Sequence, residues 1–234
     1  MRRLTAVIAI SVICVAGAGC DTKGHRAVQA QNKPMITVLV PPPLLKKDLP
    51  GFLLTPEEID TSMSAAGMTV TNALSEMSDD SATMAPRECL AIDGAAQAPV
   101  YADSGFTDVR DATLKNGDNF THYAHQAVVL YPDAAKAKSF FDASAQQWTQ
   151  CHQYTHTQSG TQWEVEPISN SAGILSVIAT QLQAKKGGWA CGRALTARNN
   201  VIVDVNTCSA DPADSAVSIA GQIALRADAQ SAHR

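Results

Sequence analysis

Aromatic residues make up only 5% of this 234-residue chain and charged residues 17%, and neither group clusters. No stretch gathers lysine and arginine on one face and the formal charge is −4, so no nucleic-acid partner is expected. There is no Gly-x-Ser-x-Gly elbow, no Walker loop and no His-Glu-x-x-His, which removes the local signatures of serine hydrolases, P-loop nucleotide enzymes and zinc proteases. No Cys-x-x-Cys pair occurs. Cys151-His152 and His156 lie near one another, but His122 and His125 sit three apart on an expected strand and point to opposite faces, so neither a metal nor a cofactor is expected. The longest apolar run, Leu4 to Val15, is shorter than the ~20 residues a spanning helix needs.

That run has the layout of an export signal. Arg2 and Arg3 precede it, and Ala16, Gly17, Ala18 and Gly19 lead from it to Cys20. Small residues directly before a cysteine resemble a bacterial lipobox, although Gly17 stands where a larger aliphatic is usual. Cys20 is therefore the expected lipidation site and mature N-terminus, with 1–19 a signal peptide. Removing residues 1–19 takes away two arginines and no acid, which moves the formal charge from −4 to −6. Residues 20–45 read as a lipidated N-terminus and polar, proline-bearing tether. An edge strand at Ile36–Val40 is the alternative for part of it. The remainder, 46–230, is long enough for one domain with its own core.

Along that domain, Thr55-Pro56-Glu57-Glu58 carries a capping box and a proline suited to the first helical position, with Ile59, Met63 and Ala66 on one face and Gly67 as the stop. Asp79 to Arg87 reads as loop, and Cys89 to Val100 as a mixed segment with room for a short strand. Phe106–Leu114 and Thr121–Tyr131 predict a hairpin around Gly117. Pro132-Asp133 opens the longest expected helix, to about His152, with Ala137, Phe140, Phe141, Ala145, Trp148 and Cys151 at helical spacing. Trp163–Ile168 and Ile174–Gln183 supply further strands. Asp211-Pro212-Ala213-Asp214 starts a last helix, with Asp211 as cap and Val217, Ala220, Ile223 and Ala224 as its buried face. Antiparallel strands interrupted by long single helices predict an α+β fold.

Four cysteines outside the N-terminal segment, Cys89, Cys151, Cys191 and Cys208, allow three disulfide pairings. If Asn199-Asn200 forms a two-residue turn, facing residues have numbers that sum to 399, as 191 and 208 do. Cys191–Cys208 is then a cross-strand bridge and Cys89–Cys151 follows by elimination. The same register places Trp189, Arg193, Leu195, Ile202, Asp204 and Asn206 on one face of the hairpin, and Ala194, Thr196, Val201, Val203 and Val205 on the other. The second face suits helix packing. The first mixes an aromatic, a cation, an acid and an amide, so Arg193, Asp204, Asn206 and Trp189 are the candidate ligand-binding residues; a structural Arg193–Asp204 pair is the competing reading.

Gln147-Trp148-Thr149-Gln150-Cys151, then Gly188 to Leu195 (GWACGRAL), then Arg198 to Val205 (RNNVIVDV) and Cys208 together resemble the PknH-type extracellular sensor domain. That domain occurs in mycobacteria at the outer end of a receptor Ser/Thr kinase and also in free-standing lipoproteins. The resemblance covers roughly Leu49 to Ala227. It implies an antiparallel sheet packed with helices, two disulfides and an open cleft for an unidentified ligand. This chain is similar to the lipoprotein form, so signalling through phosphorylation is not carried over. The expected function is non-catalytic binding of a small-molecule or cell-wall-derived ligand by a monomer tethered outside the cell membrane. The alternatives are a lipid or glycolipid carrier, which needs an enclosed apolar cavity, and a cell-wall-acting enzyme, which needs two titratable groups with shifted pKa values in the cleft.

Overall fold

The computed structural model describes residues 41–233. The export signal, Cys20, the alternative strand at Ile36–Val40 and most of the tether lie outside the described residues.

The central unit is the hairpin that the Asn-Asn pair predicts. Strands β9 (Ala190–Arg198) and β10 (Val201–Ser209) pair Val201 with Arg198 and, seven rungs on, Cys208 with Cys191. Asn199 takes a positive φ of 46°, a conformation asparagine tolerates better than most residues. Asn200 does different work. Its buried amide accepts from the backbone N–H of Leu44 at 2.7 Å and donates to the carbonyls of Leu44 and Tyr131. Asn199 likewise donates to the Pro42 carbonyl. The hairpin tip thus holds the chain at Pro42 and Leu44, within the range 20–45 that the sequence suggests as tether.

Eight more strands extend this hairpin: β1 (Thr69–Leu74), β2 (Met84–Ala85), β3 (Asp108–Lys115), β4 (Tyr123–Leu130), β5 (Gln153–His156), β6 (Thr161–Val165), β7 (Ser169–Ser171) and β8 (Ile174–Gln181). The sheet runs β1-β3-β4-β10-β9-β8-β6-β5-β2, with β7 appended to β8, and every paired strand is antiparallel. The expected hairpin is β3–β4, paired from Asp108–Leu130 to Lys115–Tyr123.

Helices cover both faces. On one, α5 (Ser215–Ala232) sets Ile219, Ala220, Ile223, Ala224 and Ala227 against Ala194, Val201, Val203 and Val205. The alanines let the helix lie close to the sheet, and each buried isoleucine contributes roughly 1.5–3 kcal/mol relative to exposure. Helix α1 (Pro56–Met63) joins this layer, its Thr55–Glu58 capping box formed as the sequence predicts. On the opposite face lie α2 (Leu90–Asp93), α3 (Ala98–Tyr101) and α4 (Ala134–Gln147), over a core that includes Tyr101, Trp148, Leu195 and Ile202. Both bridges, Cys89–Cys151 and Cys191–Cys208, are formed. The result is the α+β fold the sequence predicts, and no helix among the described residues is long and apolar enough to cross a membrane.

Several local expectations differ from the structure. Helix α1 stops at Met63 because Ser64 turns left-handed, so Ala66 is outside it. Cys89 to Val100 holds two short helices and no strand. Helix α4 ends at Gln147 and continues only as a single 3-10 turn, Trp148–Gln150, so α5 is the longer helix. Asp211 does not cap α5: Pro212 sits in a preceding turn and the helix begins at Ser215, running past the expected polar fade to bury Ala227 and Ser231. Strands β1, β2, β5 and β7 were not expected, and β2 lies in the segment Asp79 to Arg87 that reads as loop. The first is an edge strand exposed on both faces with a register irregularity near Val70, and so carries no alternation to detect.

Candidate functional site

The mixed face of the β9–β10 hairpin divides into two parts. Arg193 and Asp204 are diagonal neighbours, and the side chains are 3% and 1% exposed. One Asp204 oxygen receives an Arg193 guanidinium N–H, while the other accepts from the Ala96 backbone at 2.9 Å and the Tyr101 hydroxyl at 2.8 Å. Arg193 also donates to the carbonyls of Val205 and Gly94, and its guanidinium lies 5.4 Å from the Trp148 ring centroid. Burial, reinforced by Asp204, pushes the Tyr101 phenol far above its ordinary range, so it stays a donor to the carboxylate. The pair is a bracket that fastens the Gly94–Tyr101 segment to the sheet. The expectation was that Arg193 and Asp204 present charge to a ligand on the cleft floor; the structure instead turns both Asp204 oxygens and the terminal nitrogens of Arg193 to this segment and the sheet, and leaves Arg193 Nε a buried donor without a partner among the described residues.

The other two candidates, Trp189 and Asn206, line a cleft of about 280 Å³ next to the bracket. Its remaining walls come from distant parts of the chain: Ser78, Asp80, Asp93, Gly94 and Gln97 from the stretch 78–97 before α3 (the crossing segment), Thr113, Phe120, Tyr123 and His125 from the β3–β4 hairpin, and His156 and Trp163 from β5 and β6. The Cys191–Cys208 bridge lies at its base. Phe120 and Trp189 meet edge to face at 6.0 Å, and Trp163 stacks on Tyr154 at 5.8 Å.

Two donors in this cleft have no acceptor among the described residues: Asn206 Nδ2 and Trp163 Nε1, on residues 3% and 4% exposed. A buried donor without a partner costs about 1–3 kcal/mol, so such groups are uncommon unless something else completes them. The acids beside them are already engaged on one side. Gln97 donates to Asp80 at 2.7 Å, His156 pairs with Asp93 at 2.7 Å, and His125 with Asp111 at 2.9 Å. None of the lining residues is Lys or Arg. Of the residues singled out from the sequence, Trp189 and Asn206 line this cleft; Trp163, Asp93 and His156 line it too and were not singled out, because they become neighbours only when the outer strands fold back.

The hydrogen bond to Asp93 raises the pKa of His156 above its ordinary value, against an opposing effect of burial. The stability this pair contributes is thus complete below about pH 6.5, the ordinary histidine value, and fades as pH rises through the raised folded value. Since the histidine side chain is 32% exposed, solvent screening keeps the contribution within about 1 kcal/mol. In a histidine NMR titration, Asp93→Asn should lower the His156 midpoint, because burial is then opposed only by the charge of Asp80. An unchanged midpoint would show that Asp93 is not the cause. Tyr123 stays protonated near neutrality, its phenol raised to about 12 chiefly by burial.

A larger cavity, about 470 Å³, lies beside α3 and α4 and is lined by Val100, Phe140 and Ala143 with Asp103, Asp133 and Lys136. None of its lining side chains is a buried donor or acceptor without a partner. Both cavities open to solvent. On chemistry the smaller cleft is the candidate site.

Comparison with known proteins agrees with this architecture. The model of the PknH-like extracellular domain matches residues 45–226. The serine/threonine-protein kinase PknH of Mycobacterium bovis is 32% identical over 205 residues, which are 86% of this chain and 34% of that one. The Mycobacterium tuberculosis H37Rv protein of the same name is 32% identical over 188 residues, 78% of this chain and 30% of that one. The crystal structure of the extracellular domain of PknH from Mycobacterium tuberculosis superimposes with a TM-score of 0.75 at 30% identity, covering 81% of this chain and 99% of that chain. This chain spans about a third of the length of the curated relatives it matches, and the matched part is their extracellular domain, not a catalytic one. That, with two formed disulfides, supports an extracytoplasmic location. The chain belongs to the PknH-like extracellular domain family.

Proposed function

We propose that this protein is a non-catalytic binding module of the cell envelope, held outside the membrane as a monomer by lipid on Cys20, and that it takes a small polar ligand into the cleft between Trp163, Trp189 and Asn206. The observation that carries this reading is that two residues lining one cleft, Asn206 and Trp163, each hold a buried side-chain N–H without an acceptor among the described residues. A ligand offering two acceptor atoms satisfies both. Because the disulfide-pinned hairpin and the Arg193–Asp204 bracket fix the walls, little ordering of the protein is needed on binding.

A carrier of lipid chains fits less well, since neither cavity is enclosed and the smaller one has a polar lining. Nor do the two shifted groups of the cleft form an acid–base pair: Tyr123 is held protonated and His156 is tied to Asp93.

The binding reading is tested on the indole N–H resonance of Trp163 in the 15N-labelled full chain, titrated with soluble extract of the organism's own envelope. A saturable shift is expected, reduced at least tenfold in apparent affinity by Asn206→Leu with its melting temperature nearly unchanged. An extract that leaves the resonance in place would remove the cleft as a site. Anchoring is tested separately: Cys20→Ala should release the protein into the medium, and continued membrane partitioning of that variant would contradict lipidation there.

A further inference from the structure

Resting on that binding reading, we infer that the ligand unit the cleft accepts is a neutral pyranose sugar. Four features of the lining each narrow the chemistry. The free N–H groups of Asn206 and Trp163 require acceptor oxygens on the ligand. Asp80 spends one side-chain hydrogen bond on Gln97, Asp93 is engaged by His156 and Tyr154, and a carboxylate has about four acceptor positions, so both retain capacity for ligand hydroxyl donors. A group of hydroxyls meets both needs at once, because each hydroxyl donates and accepts.

Charge excludes the neighbouring classes. The lining holds two carboxylates and neither Lys nor Arg; His156 offsets Asp93 where it is protonated, which leaves Asp80 to oppose a phosphate or uronate. Two cations flank the lining: Lys115 sits over the Phe120 ring at 4.6 Å, and the Arg193 guanidinium is held by Asp204 and the Gly94 carbonyl. A quaternary ammonium would suit the acids and the aromatics, yet it has no acceptor to give the two free N–H groups. Trp189 and Phe120, meeting edge to face at the rim, offer an apolar surface to the C–H face of a sugar ring. At about 280 Å³ the cleft falls just below the range of roughly 300–1,000 Å³ typical of pockets for drug-sized ligands, a size for one sugar ring rather than an acyl chain.

The test uses the same Trp163 resonance. Periodate breaks the carbon–carbon bond between adjacent hydroxyl-bearing carbons, so extract treated with it, quenched and desalted should lose its effect. Methyl glucoside, galactoside and mannoside are titrated alongside glucuronate, inorganic phosphate and choline. At least one neutral glycoside should reproduce the shift saturably, and Asn206→Leu should abolish that response. Activity that survives periodate, or a shift produced by phosphate, glucuronate or choline and by no neutral glycoside, overturns the sugar assignment and leaves the cleft standing as a site. Untreated extract with no effect removes both.

Discussion

Asp204→Ala is expected to destabilise the domain by about 3–5 kcal/mol, the usual consequence of leaving one member of a buried charged pair behind. For a domain of this size that lowers the melting temperature by roughly 6–20 °C. The substitution strands three donors at once: the Arg193 guanidinium, the Tyr101 hydroxyl and the Ala96 backbone N–H. Arg193→Ala should act similarly, since it removes the partners of Gly94 and Val205 as well as of Asp204. Two comparisons separate the bracket from a generic loss of packing. Tyr101→Phe removes a single donor and should cost about 1 kcal/mol. The double replacement Arg193→Met with Asp204→Leu should cost less than the sum of the single changes, because it removes both charges together. A thermal melt in which Asp204→Ala matches the unsubstituted protein would contradict the structural assignment of the pair.

Loss of the Cys89–Cys151 bridge is expected to cost about 4 kcal/mol, against about 3 for Cys191–Cys208, from the chain entropy released in the unfolded state. The difference follows from loop size: the bridged residues are 62 apart in one case and 17 in the other. The long bridge also joins two elements that few other constraints tie together, the turn before α2 and the end of α4. Its removal should therefore loosen the Gly94–Gln97 wall of the cleft, whereas the β9–β10 hairpin remains hydrogen-bonded along nine rungs without its own bridge. Urea unfolding of the two paired Cys→Ala variants checks the order. A larger loss from the short bridge would show that loop entropy is not the controlling factor.

What could be read from the sequence was what one hairpin encodes locally. Asn199-Asn200 sets a turn, the turn sets a register, and the register pairs two cysteines and sorts the residues of β9 and β10 onto two faces. The apolar face carried enough small aliphatic residues to predict a helix upon it, and α5 lies there. The polar face was legible as unusual but not as two separate places. Whether Arg193 meets a ligand or a loop depends on Gly94, Ala96 and Tyr101, about a hundred residues away in a stretch whose short helices have no periodicity to announce them. Trp163 was similarly legible only as a strand residue. Its unpaired N–H becomes significant once β6 returns beside Asn206 and the acids of the crossing segment close the cleft around both.

The most direct test of the cleft as a binding site is native mass spectrometry of the protein isolated from its own cell envelope, beside the variant carrying both Asn206→Leu and Trp163→Phe. These substitutions remove the two unpartnered donors; leucine keeps about the bulk of Asn206, and phenylalanine keeps an aromatic ring, though a smaller one, against Tyr154. The expected result is a discrete added mass on the native protein, dissociable under activation and absent from the double variant. The same added mass on both proteins, or none on either, would contradict the assignment of the cleft.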